Sequence, residues 1–322
     1  MKTSCSVTVI SAVVAYVYRC TTRVANILVV ANIIYRRTVN VGALIINFES
    51  HEDLAECVAS LQVGSICKQI LVVDNSMSKS GREAAELLCE SMGISLLQSG
   101  ENLGFARGCN LGVQQFGPEI EQILFVNPDA RVNDETVERL SNHLNTNPEV
   151  AAVNPTIYLP SSAVWFASGS LNRRLARLVQ RPAATGQSTD WVNGCVLLVR
   201  REAFSAVGGF DERYFLYWED VVLSLRLREA GWEIEVLPEV SATHIRGRDG
   251  GSTEAISPTQ LEHSIRSRLI FARSELTVQE KLFAIPYSVL NVARLVQRTL
   301  LGGASTSEAL RSAASGVIGG LS

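Results

Sequence analysis

Short apolar runs alternate with segments of helical periodicity from Val41 onward, and this alternation restricts the fold more than any other feature. The run Val41–Phe48 (VGALIINF) is nearly continuous and has the length of a strand that is buried on both faces. Gln69–Val73 and Gln122–Val126 are runs of the same kind, and His51–Val63 has apolar residues at helical spacing. This order predicts parallel βαβ units, and therefore an α/β fold with a mostly parallel sheet flanked by helices.

The other elements are predicted from periodicity and from helix-end signals. They are helices over Gly81–Met92, Phe105–Phe116, Asn133–Leu144, Arg201–Val207 and Val221–Ala230, and strands over Ile94–Gln98, Trp191–Arg200 and Glu233–Leu237. The segment Asn154–Asp190 is predicted to consist of loops and short strands. From about Gln260 to Leu301 the chain is predicted to be helical, with Pro286 dividing it into two helices. Capping boxes are expected at Thr277 with Glu280 and at Ser305 with Glu308.

Composition excludes several classes of protein. The formal net charge of −3 argues against a nucleic-acid binder, which needs a basic face. Hydrophobic residues make up 47% of the chain, too many for a disordered protein. The seven cysteines are scattered and form no C-x-x-C pair, which argues against a disulfide scaffold or a zinc knuckle. We therefore expect buried free thiols and a cytoplasmic location.

Residues 1–40 are predicted to be an N-terminal extension. The apolar runs Cys5–Tyr18 and Val24–Tyr35 are separated by Arg19 and Arg23, and each is shorter than the roughly 20 residues of a transmembrane helix. Three interpretations are open: a non-native extension from an upstream start, a membrane-contacting tail, or an uncleaved hydrophobic segment. The first is slightly favoured.

Polar residues directly follow three of the predicted strands, where open α/β sheets bind their ligands. These breaks are Phe48-Glu49-Ser50, Asp74-Asn75-Ser76 and Asn127-Pro128-Asp129. Asp129 is suited to hold a divalent ion that bridges two phosphates, because such ions prefer oxygen ligands. The side chains of Asp74–Ser76 are suited to recognise a nucleobase or a ribose. All of these residue types are also common in simple turns.

Three further segments contain residues that could take part in binding or catalysis. In Asn102–Gly112 (NLGFARGCNLG) glycines recur every four residues, which permits close approach to a ligand or to a strand, although the segment is neither a Walker A loop nor a G-x-G-x-x-G fingerprint. Tyr214–Asp220 (YFLYWED) places paired carboxylates after aromatic residues, as for a general base beside a sugar-stacking wall. Asp220 is also a natural N-cap. His244 could contact metal or phosphate, or be a structural histidine.

Taken in this order, these segments resemble the family-2 glycosyltransferases of GT-A fold, in particular their rhamnosyltransferase-like branch. The resemblance extends from about Val41 to Arg273 and rests on VVDNS, ENLGFARGCNLG and FVNPDA. Its most specific part is the block Trp191–Trp232, which is similar to the acceptor-side signature of the family. The resemblance implies a GT-A domain over 41–245 with a Rossmann-like nucleotide half, followed by a loop and a helical region over 246–322 that contacts membrane or acceptor.

The resemblance also implies roles for single residues. Asp220 matches the catalytic base, with Glu219 beside it. Asn127-Pro128-Asp129 matches a D-x-D-type metal motif, although many members have Asp where this chain has Asn127. The implied donor-nucleotide residues are Asp74, Asn75, Asn102, Gly104, Arg107 and Asn110; the metal residues are Asp129, His244 and Asn127; the acceptor-side residues are Trp191, Asn193, Gly194 and Trp218.

The implied reaction is an inverting transfer of a sugar, with rhamnose from a dTDP donor favoured, from a nucleoside-diphosphate donor to a glycan or polyprenyl-linked acceptor. The implied cofactor is Mg²⁺ or Mn²⁺, and the implied pathway is cell-surface polysaccharide synthesis. Two alternatives remain open. A metal-dependent nucleotidyltransferase usually has a glycine- and basic-rich loop after its first strand, where this chain reads FESHEDL. A non-catalytic nucleotide-sugar-binding module would not need both Asp129 and Asp220.

The C-terminal region is predicted to reach a membrane surface. Five arginines occur among its apolar residues, namely Arg266, Arg268, Arg273, Arg294 and Arg298. Arginines beside broad apolar faces are typical of helices that lie in the headgroup plane of an anionic membrane. This predicts peripheral contact with the inner face of the cell membrane. The alternative is that these helices pack on the catalytic domain and leave their arginines in water.

Overall fold

The computed structural model describes residues 40–62, 66–181, 189–245 and 255–321. The predicted extension lies outside these residues, except for Asn40, which begins the first strand. Most of the polar loop after His244 also lies outside them.

Eleven strands and nine α-helices occur in the described residues. The strands are β1 Asn40–Asn47, β2 Cys67–Asp74, β3 Ser95–Gln98, β4 Ile120–Val126, β5 Ala130–Arg131, β6 Val150–Tyr158, β7 Val164–Phe166, β8 Ser168–Asn172, β9 Arg177–Arg181, β10 Val196–Arg200 and β11 Glu233–His244. The helices are α1 His51–Gln62, α2 Lys79–Met92, α3 Gly104–Val113, α4 Asp134–Thr146, α5 Arg201–Ala206, α6 Glu219–Glu229, α7 Pro258–Ser274, α8 Val278–Leu301 and α9 Thr306–Leu321.

The first half of the main sheet is parallel, as predicted. The strands β3, β2, β1 and β4 are adjacent in this order, and all three pairings are parallel. Along β1, Ile45 belongs to one buried cluster and Leu44 to the cluster on the other face of the sheet. Helices cover both faces, and this is why the strands are continuous apolar runs rather than alternating ones.

The second half of the sheet is mixed and continues in the order β4-β10-β6-β11-β5. Strand β10 is antiparallel to both β4 and β6, and β11 is parallel to β6. Two reversals therefore give β6 and β11 the direction of β4. As a result, the carboxyl ends of β1, β2, β4 and β11 and the amino end of β10 share one edge of the sheet.

Three predicted elements differ from the structure. The sequence does not predict strand β6, because its second half lies in the irregular segment Asn154–Asp190 and Pro155 argues against a strand. In the structure Pro155 lies between the residues that pair with β10 and those that pair with β7, so its missing N–H falls where the partner changes. The strand predicted over Trp191–Arg200 is shorter, because Trp191 forms only an isolated bridge with Gly169. The last strand is longer and ends at His244.

The C-terminal region is helical as predicted, but its division differs. The predicted capping boxes are present at Thr277 and at Ser305. The prediction that Pro286 separates two helices is wrong, because Pro286 lies inside the continuous helix α8. The break comes earlier, before the Thr277 cap. Within the described residues, no helix is both long enough and apolar enough to span a bilayer.

Candidate functional site

The carboxyl ends of β1 and β2 form a buried polar pocket around Asp74. The Asn47 amide donates a hydrogen bond to Asp74 Oδ1 at 2.7 Å, and the Ser76 hydroxyl donates to the same oxygen at 2.7 Å. Asp74 is 1% exposed, and within the described structure its Oδ2 has no hydrogen-bond partner. Because buried polar atoms normally have partners, this oxygen marks a place for a ligand donor.

Glu49 closes the side of this pocket. Its carboxylate accepts hydrogen bonds from the backbone N–H groups of Met77 and Ser78 and from the Ser78 hydroxyl. The bond from the Ser78 N–H is the main cause that lowers the pKa of Glu49 below its ordinary value. Glu49 has a positive φ of 53°, which is uncommon for a residue with a side chain. The sequence marked this strand end as a polar break but gave Glu49 no role.

The glycine-containing segment connects the pocket to the YFLYWED loop. Asn75 Nδ2 donates to the Gly104 carbonyl at 3.1 Å, and the Gly104 N–H donates to Asn102 Oδ1 at 3.1 Å. The next residue, Phe105, donates its N–H to the Phe215 carbonyl at 2.9 Å. Gly104 has a φ of 73°, and a Cβ there would lie 2.4 Å from the Phe215 carbonyl oxygen. Only glycine fits this position.

Asn110 and Arg107 lie on the same helix, α3, but in different environments. Asn110 exchanges hydrogen bonds with the backbone N–H and C=O of Phe210, so it holds the loop before Tyr214. The Arg107 guanidinium is half exposed, at 3.6 Å from the Glu101 carboxylate and 3.9 Å from that of Glu212. Of the two, Arg107 has the more exposed side chain, although two carboxylates lie within 4 Å of its guanidinium.

Asp129 and His244 meet at the same edge. Strand β11 pairs with β5 so that His244 lies opposite Ala130, and His244 Nε2 is 3.0 Å from Asp129 Oδ2. Trp165 packs edge-on against the imidazole, with 4.3 Å between ring centroids. Asn127 is fixed beside them through its backbone N–H, which donates to the Cys195 carbonyl at 2.8 Å.

This pair fits a divalent cation that is shared with phosphates. No group of three or more His, Cys, Asp or Glu side chains suited to a metal occurs in the part of the chain described. Asp129 and His244 alone supply one carboxylate oxygen and one imidazole. Ions such as Mg²⁺ and Mn²⁺ are commonly held by one or two protein groups together with diphosphate oxygens. The donor set is therefore sufficient once a diphosphate is bound.

Glu219 and Asp220 are the first two residues of α6. Asp220 Oδ2 accepts a hydrogen bond from the Gly194 N–H at 3.0 Å, and its Oδ1 accepts from the Val221 N–H at 2.8 Å. The interpretation of Asp220 as the N-cap is wrong, because the cap position belongs to Trp218 and Asp220 lies inside the first turn.

Burial raises the pKa of both carboxyl groups. Burial raises the pKa of Asp220 to about 6, although the Gly194 and Val221 N–H groups act in the opposite direction. Glu219 is buried, and desolvation followed by the neighbouring Asp220 charge raises its pKa well above the ordinary value. Of the two groups, Asp220 is therefore the better candidate for an ionised base near neutral pH. Asp220 suits a general base, for which a pKa near the working pH is favourable.

The backbone before α6 is strained, and helix α7 supports it. Tyr217 and Trp218 have φ values of 69° and 73°. The Trp218 ring packs against Phe271 with 4.4 Å between centroids, and the Ser267 hydroxyl donates to the Leu216 carbonyl at 2.7 Å. Strained backbone of this kind persists only where its surroundings hold it. Helix α7 is therefore part of the site.

The acceptor-side residues fall into two groups. Asn193 and Gly194 form the turn before β10, and Asn154 holds this turn by accepting the Asn193 N–H and donating to its carbonyl. The sequence gave no signal for Asn154, because its role depends on pairing between distant strands. Trp191 and Trp218 are only 4% and 7% exposed, so their rings belong to the core rather than to an open sugar-stacking wall.

Comparisons with known proteins agree with this arrangement. The sequence model described as glycosyl transferase family 2 matches residues 43–208, which is just over half of the chain. An N-acetylglucosaminyl-diphospho-decaprenol L-rhamnosyltransferase of Mycobacterium tuberculosis is 28% identical over 214 residues, covering 58% of this chain and 69% of that enzyme.

Two solved structures share the fold. A mannosyltransferase of Pyrobaculum calidifontis, in complex with GDP-Man and Mn²⁺, aligns with a TM-score of 0.54 at 14% identity over 88% of this chain and 87% of that one. GalNAc-T7 with UDP, GalNAc and Mn²⁺ aligns with a TM-score of 0.57 at 13% identity over 77% of this chain. This chain spans 55% of the length of GalNAc-T7. Both similarities identify the fold as GT-A.

Proposed function

The chain belongs to glycosyl transferase family 2, in its rhamnosyltransferase-like branch, and on this premise we propose that it is an inverting glycosyltransferase with Asp220 as its catalytic base. The donor is a nucleoside-diphosphate sugar, with rhamnose as the favoured sugar. The observation that carries the proposal is the Asp220 carboxylate, which two backbone N–H groups hold in place and whose pKa of about 6 suits proton transfer near neutral pH.

In the proposed reaction, Asp220 takes the proton of an acceptor hydroxyl while that oxygen attacks C1 of the sugar. The bond between C1 and the diphosphate oxygen breaks as the new glycosidic bond forms, so the configuration at C1 inverts. The proton remains on Asp220, and the nucleoside diphosphate leaves with the bonding electron pair. A positioned base of this kind contributes about 10²–10⁴-fold to the rate.

The donor occupies the edge between the Asp74 pocket and Asp129 in this proposal. The free Oδ2 of Asp74 accepts a hydrogen bond from the nucleotide, and the half-exposed Arg107 guanidinium, which also lies 3.6 Å from Glu101, is the positive charge that we assign to the donor side. Asp129 and His244, with Asn127 adjacent, would hold a divalent cation, which when bound would neutralise charge on the diphosphate leaving group. The two similar structures that contain Mn²⁺ support this part of the proposal.

The proposed acceptor is a glycan carried on a polyprenyl diphosphate, and the proposed pathway is cell-surface polysaccharide synthesis. The Mycobacterium tuberculosis relative is named for such a lipid-linked acceptor. A lipid-linked acceptor requires contact with a membrane, so we propose a cytoplasmic protein that is peripheral at the inner face of the cell membrane. The loop and helices over 246–322 are the region assigned to this contact.

The test is a donor screen with the full chain. The release of nucleoside diphosphate is measured for a panel of nucleotide sugars with Mg²⁺, with Mn²⁺ and with EDTA. We expect turnover of at least one donor, dTDP-rhamnose first, with metal. If the chain binds donors but turns none of them over with any acceptor, it is a binding module. Release of pyrophosphate from a nucleoside triphosphate and a sugar phosphate would identify a nucleotidyltransferase instead.

A further inference from the structure

One side of helix α8 presents a continuous apolar surface to solvent. Its large exposed side chains follow one another at spacings of 1, 4, 6 and 10 residues, and at about 100° per residue these spacings place them within an arc of about 140° on one side of the helix. We call this set the α8 outer face; it consists of Val278, Leu282, Phe283, Val289, Leu290, Leu300 and Leu301. The opposite side contacts the rest of the protein, with Ala284, Ser288 and Thr299 buried.

The size of this face indicates a binding surface. Single exposed apolar residues are normal on soluble proteins, but a contiguous apolar patch usually marks an interaction site. The face extends along a helix of 24 residues, about 36 Å at 1.5 Å per residue. Leu282, Phe283 and Leu290 are 68%, 60% and 73% exposed. In the part of the chain that the structure describes, these three side chains remain in contact with water.

The charge around the face indicates the kind of partner. Helix α8 contains Lys281, Arg294 and Arg298 and one acidic residue, Glu280, whose carboxylate accepts a hydrogen bond from Arg173, although the chain as a whole has a net charge of −3. Arg294 is exposed beside the apolar residues. A second copy docked symmetrically through the same face would bring these like charges together. An anionic lipid surface would attract them.

Two of the arginines that the sequence assigns to the membrane surface have hydrogen-bond partners within the protein. Arg268 donates to the Leu175 carbonyl at 2.9 Å and lies over the Tyr287 ring, and Arg273 donates to the Gly320 carbonyl at 3.3 Å. These two arginines of α7 are engaged within the protein. Lys281 and Arg294 of α8 are the basic residues that we assign to the border of the apolar surface.

We propose that the α8 outer face lies in the headgroup plane of an anionic bilayer, with its apolar side chains in the acyl boundary and Lys281 and Arg294 among the lipid phosphates. This proposal rests on the proposed function only in that a lipid-linked acceptor places the enzyme at a membrane. The arrangement is that of an interfacial amphipathic helix, whose binding combines buried apolar area with attraction to anionic lipid.

The test is co-sedimentation of the full chain with vesicles of phosphatidylcholine alone or mixed with phosphatidylglycerol, at low and high salt. The main variant combines Leu282→Gln, Phe283→Gln and Leu290→Gln. Leu87→Gln is the matched control for Leu290→Gln, because Leu87 is also a highly exposed helical leucine, at 66%. A third variant combines Lys281→Gln with Arg294→Gln. Circular dichroism and thermal unfolding check that each variant is folded.

We expect the parent and Leu87→Gln to bind the anionic vesicles at low salt. The triple variant should need at least about tenfold more lipid for half-binding, and the charge variant should lose most of its salt dependence. Failure of the parent to bind, or equal binding by the folded triple variant, would overturn the proposal. A parent dimer that the triple variant converts to a monomer, without vesicle binding, would identify a second copy as the partner instead.

Donor turnover without vesicles separates this proposal from the proposed function. Release of nucleoside diphosphate in solution needs no membrane, so the triple variant should retain the parent rate. Vesicle binding by a protein that turns over no donor would leave the membrane surface standing and overturn the enzymatic function. Normal turnover with no vesicle binding would do the reverse.

Discussion

The Asp220 carboxylate is joined to the backbone N–H of Gly194 by a hydrogen bond of 3.0 Å. This bond connects the first turn of α6 to the turn before β10. A backbone donor has a fixed charge and position, so it orients the carboxylate without competing for the proton that a base must accept. The Gly194 N–H acts to lower the pKa of Asp220, but burial outweighs it and raises the pKa to about 6.

Replacement of Asp220 by Asn should nearly abolish transfer while donor binding is retained. The amide has almost the same shape and can still accept one of the two backbone N–H bonds, but it cannot take a proton. We expect the turnover rate to fall about 10²–10⁴-fold and the donor Kd to change by less than about threefold. Glu229→Gln, an exposed change on the same helix, is the control. Full activity of Asp220→Asn would remove Asp220 from the mechanism.

The pH dependence of transfer should report the raised pKa of Asp220. The base must be ionised, so kcat/KM should fall about tenfold per pH unit below a pH of about 6 and be level above it. The measurement is kcat/KM between pH 4.5 and 8 in buffers of constant ionic strength. A carboxylate with an ordinary pKa would keep activity level down to about pH 4, and such a profile would contradict the assignment.

The raised pKa of Asp220 also makes the free energy of unfolding depend on pH. The folded state holds the Asp220 proton more tightly than the unfolded state, so the free energy of unfolding should decrease as pH rises from about 4 to about 6. Asp220→Asn carries no such proton, and its unfolding free energy should lack this component. Comparison of the two proteins by urea unfolding at pH 4 and pH 7 gives the difference directly.

Glu219→Gln should leave transfer within about threefold of the parent rate. Desolvation and the charge of Asp220 raise the pKa of Glu219, which favours its protonated form, and the amide resembles a protonated carboxyl group. The assay is the one used for Asp220→Asn. Loss of activity as large as that of Asp220→Asn would show that transfer also requires the Glu219 carboxyl group, and would contradict the assignment of Asp220 alone as the base.

The parallel half of the sheet could be predicted from sequence because its information is local. Leu44 and Ile45 pack into the buried clusters on opposite faces of the sheet. A strand that is buried on both faces has a sequence of consecutive apolar residues. The same rule placed Asp74 and Asp129 at strand ends, where ligands bind. Strand β6 could not be predicted, because Pro155 is acceptable only where the neighbouring strand changes, and that change is a property of the whole sheet.

The support of the candidate base could not be predicted for a related reason. Asn154 is 39 positions from Asn193, and Phe271 is far along the chain from Trp218, so no periodicity or motif connects them. The two aromatic residues expected to face a sugar, Trp191 and Trp218, are nearly buried because the loops they belong to are packed from behind by β8 and α7. The sequence shows that these tryptophans are present but does not show whether their rings face the core or the solvent.

Replacement of Asp129 by Ala should weaken metal-dependent binding of nucleoside diphosphate. Asp129 supplies the one carboxylate beside His244, so the variant should bind the ligand about equally in Mn²⁺ and in EDTA. Asn127→Asp adds a second carboxylate and should tighten binding in Mn²⁺ or leave it unchanged. Isothermal titration calorimetry with and without metal decides both. Equal affinity of the parent protein in Mn²⁺ and EDTA would contradict the assignment of a metal site.

Gly104→Ala should damage the site more than its positive φ alone would explain. The new Cβ would meet the Phe215 carbonyl oxygen at 2.4 Å and the Phe215 ring at 2.7 Å, so the Phe105–Phe215 hydrogen bond must shift. Gly93→Ala is the matched control, because Gly93 also has a positive φ, of 65°, but its Cβ would meet no atom within 4 Å.

Both variants should lose about 1 kcal/mol of unfolding free energy from backbone strain. We expect Gly104→Ala to lose about 1–3 kcal/mol more, and it alone should bind nucleoside diphosphate at least about tenfold more weakly. Urea unfolding and calorimetry measure the two effects. The donor pocket is coupled to Gly104 because Asn75 donates to its carbonyl, so a displaced Gly104 also displaces Asn75 beside Asp74. Equal behaviour of the two variants would mean that the contact between α3 and the YFLYWED loop does not position the donor.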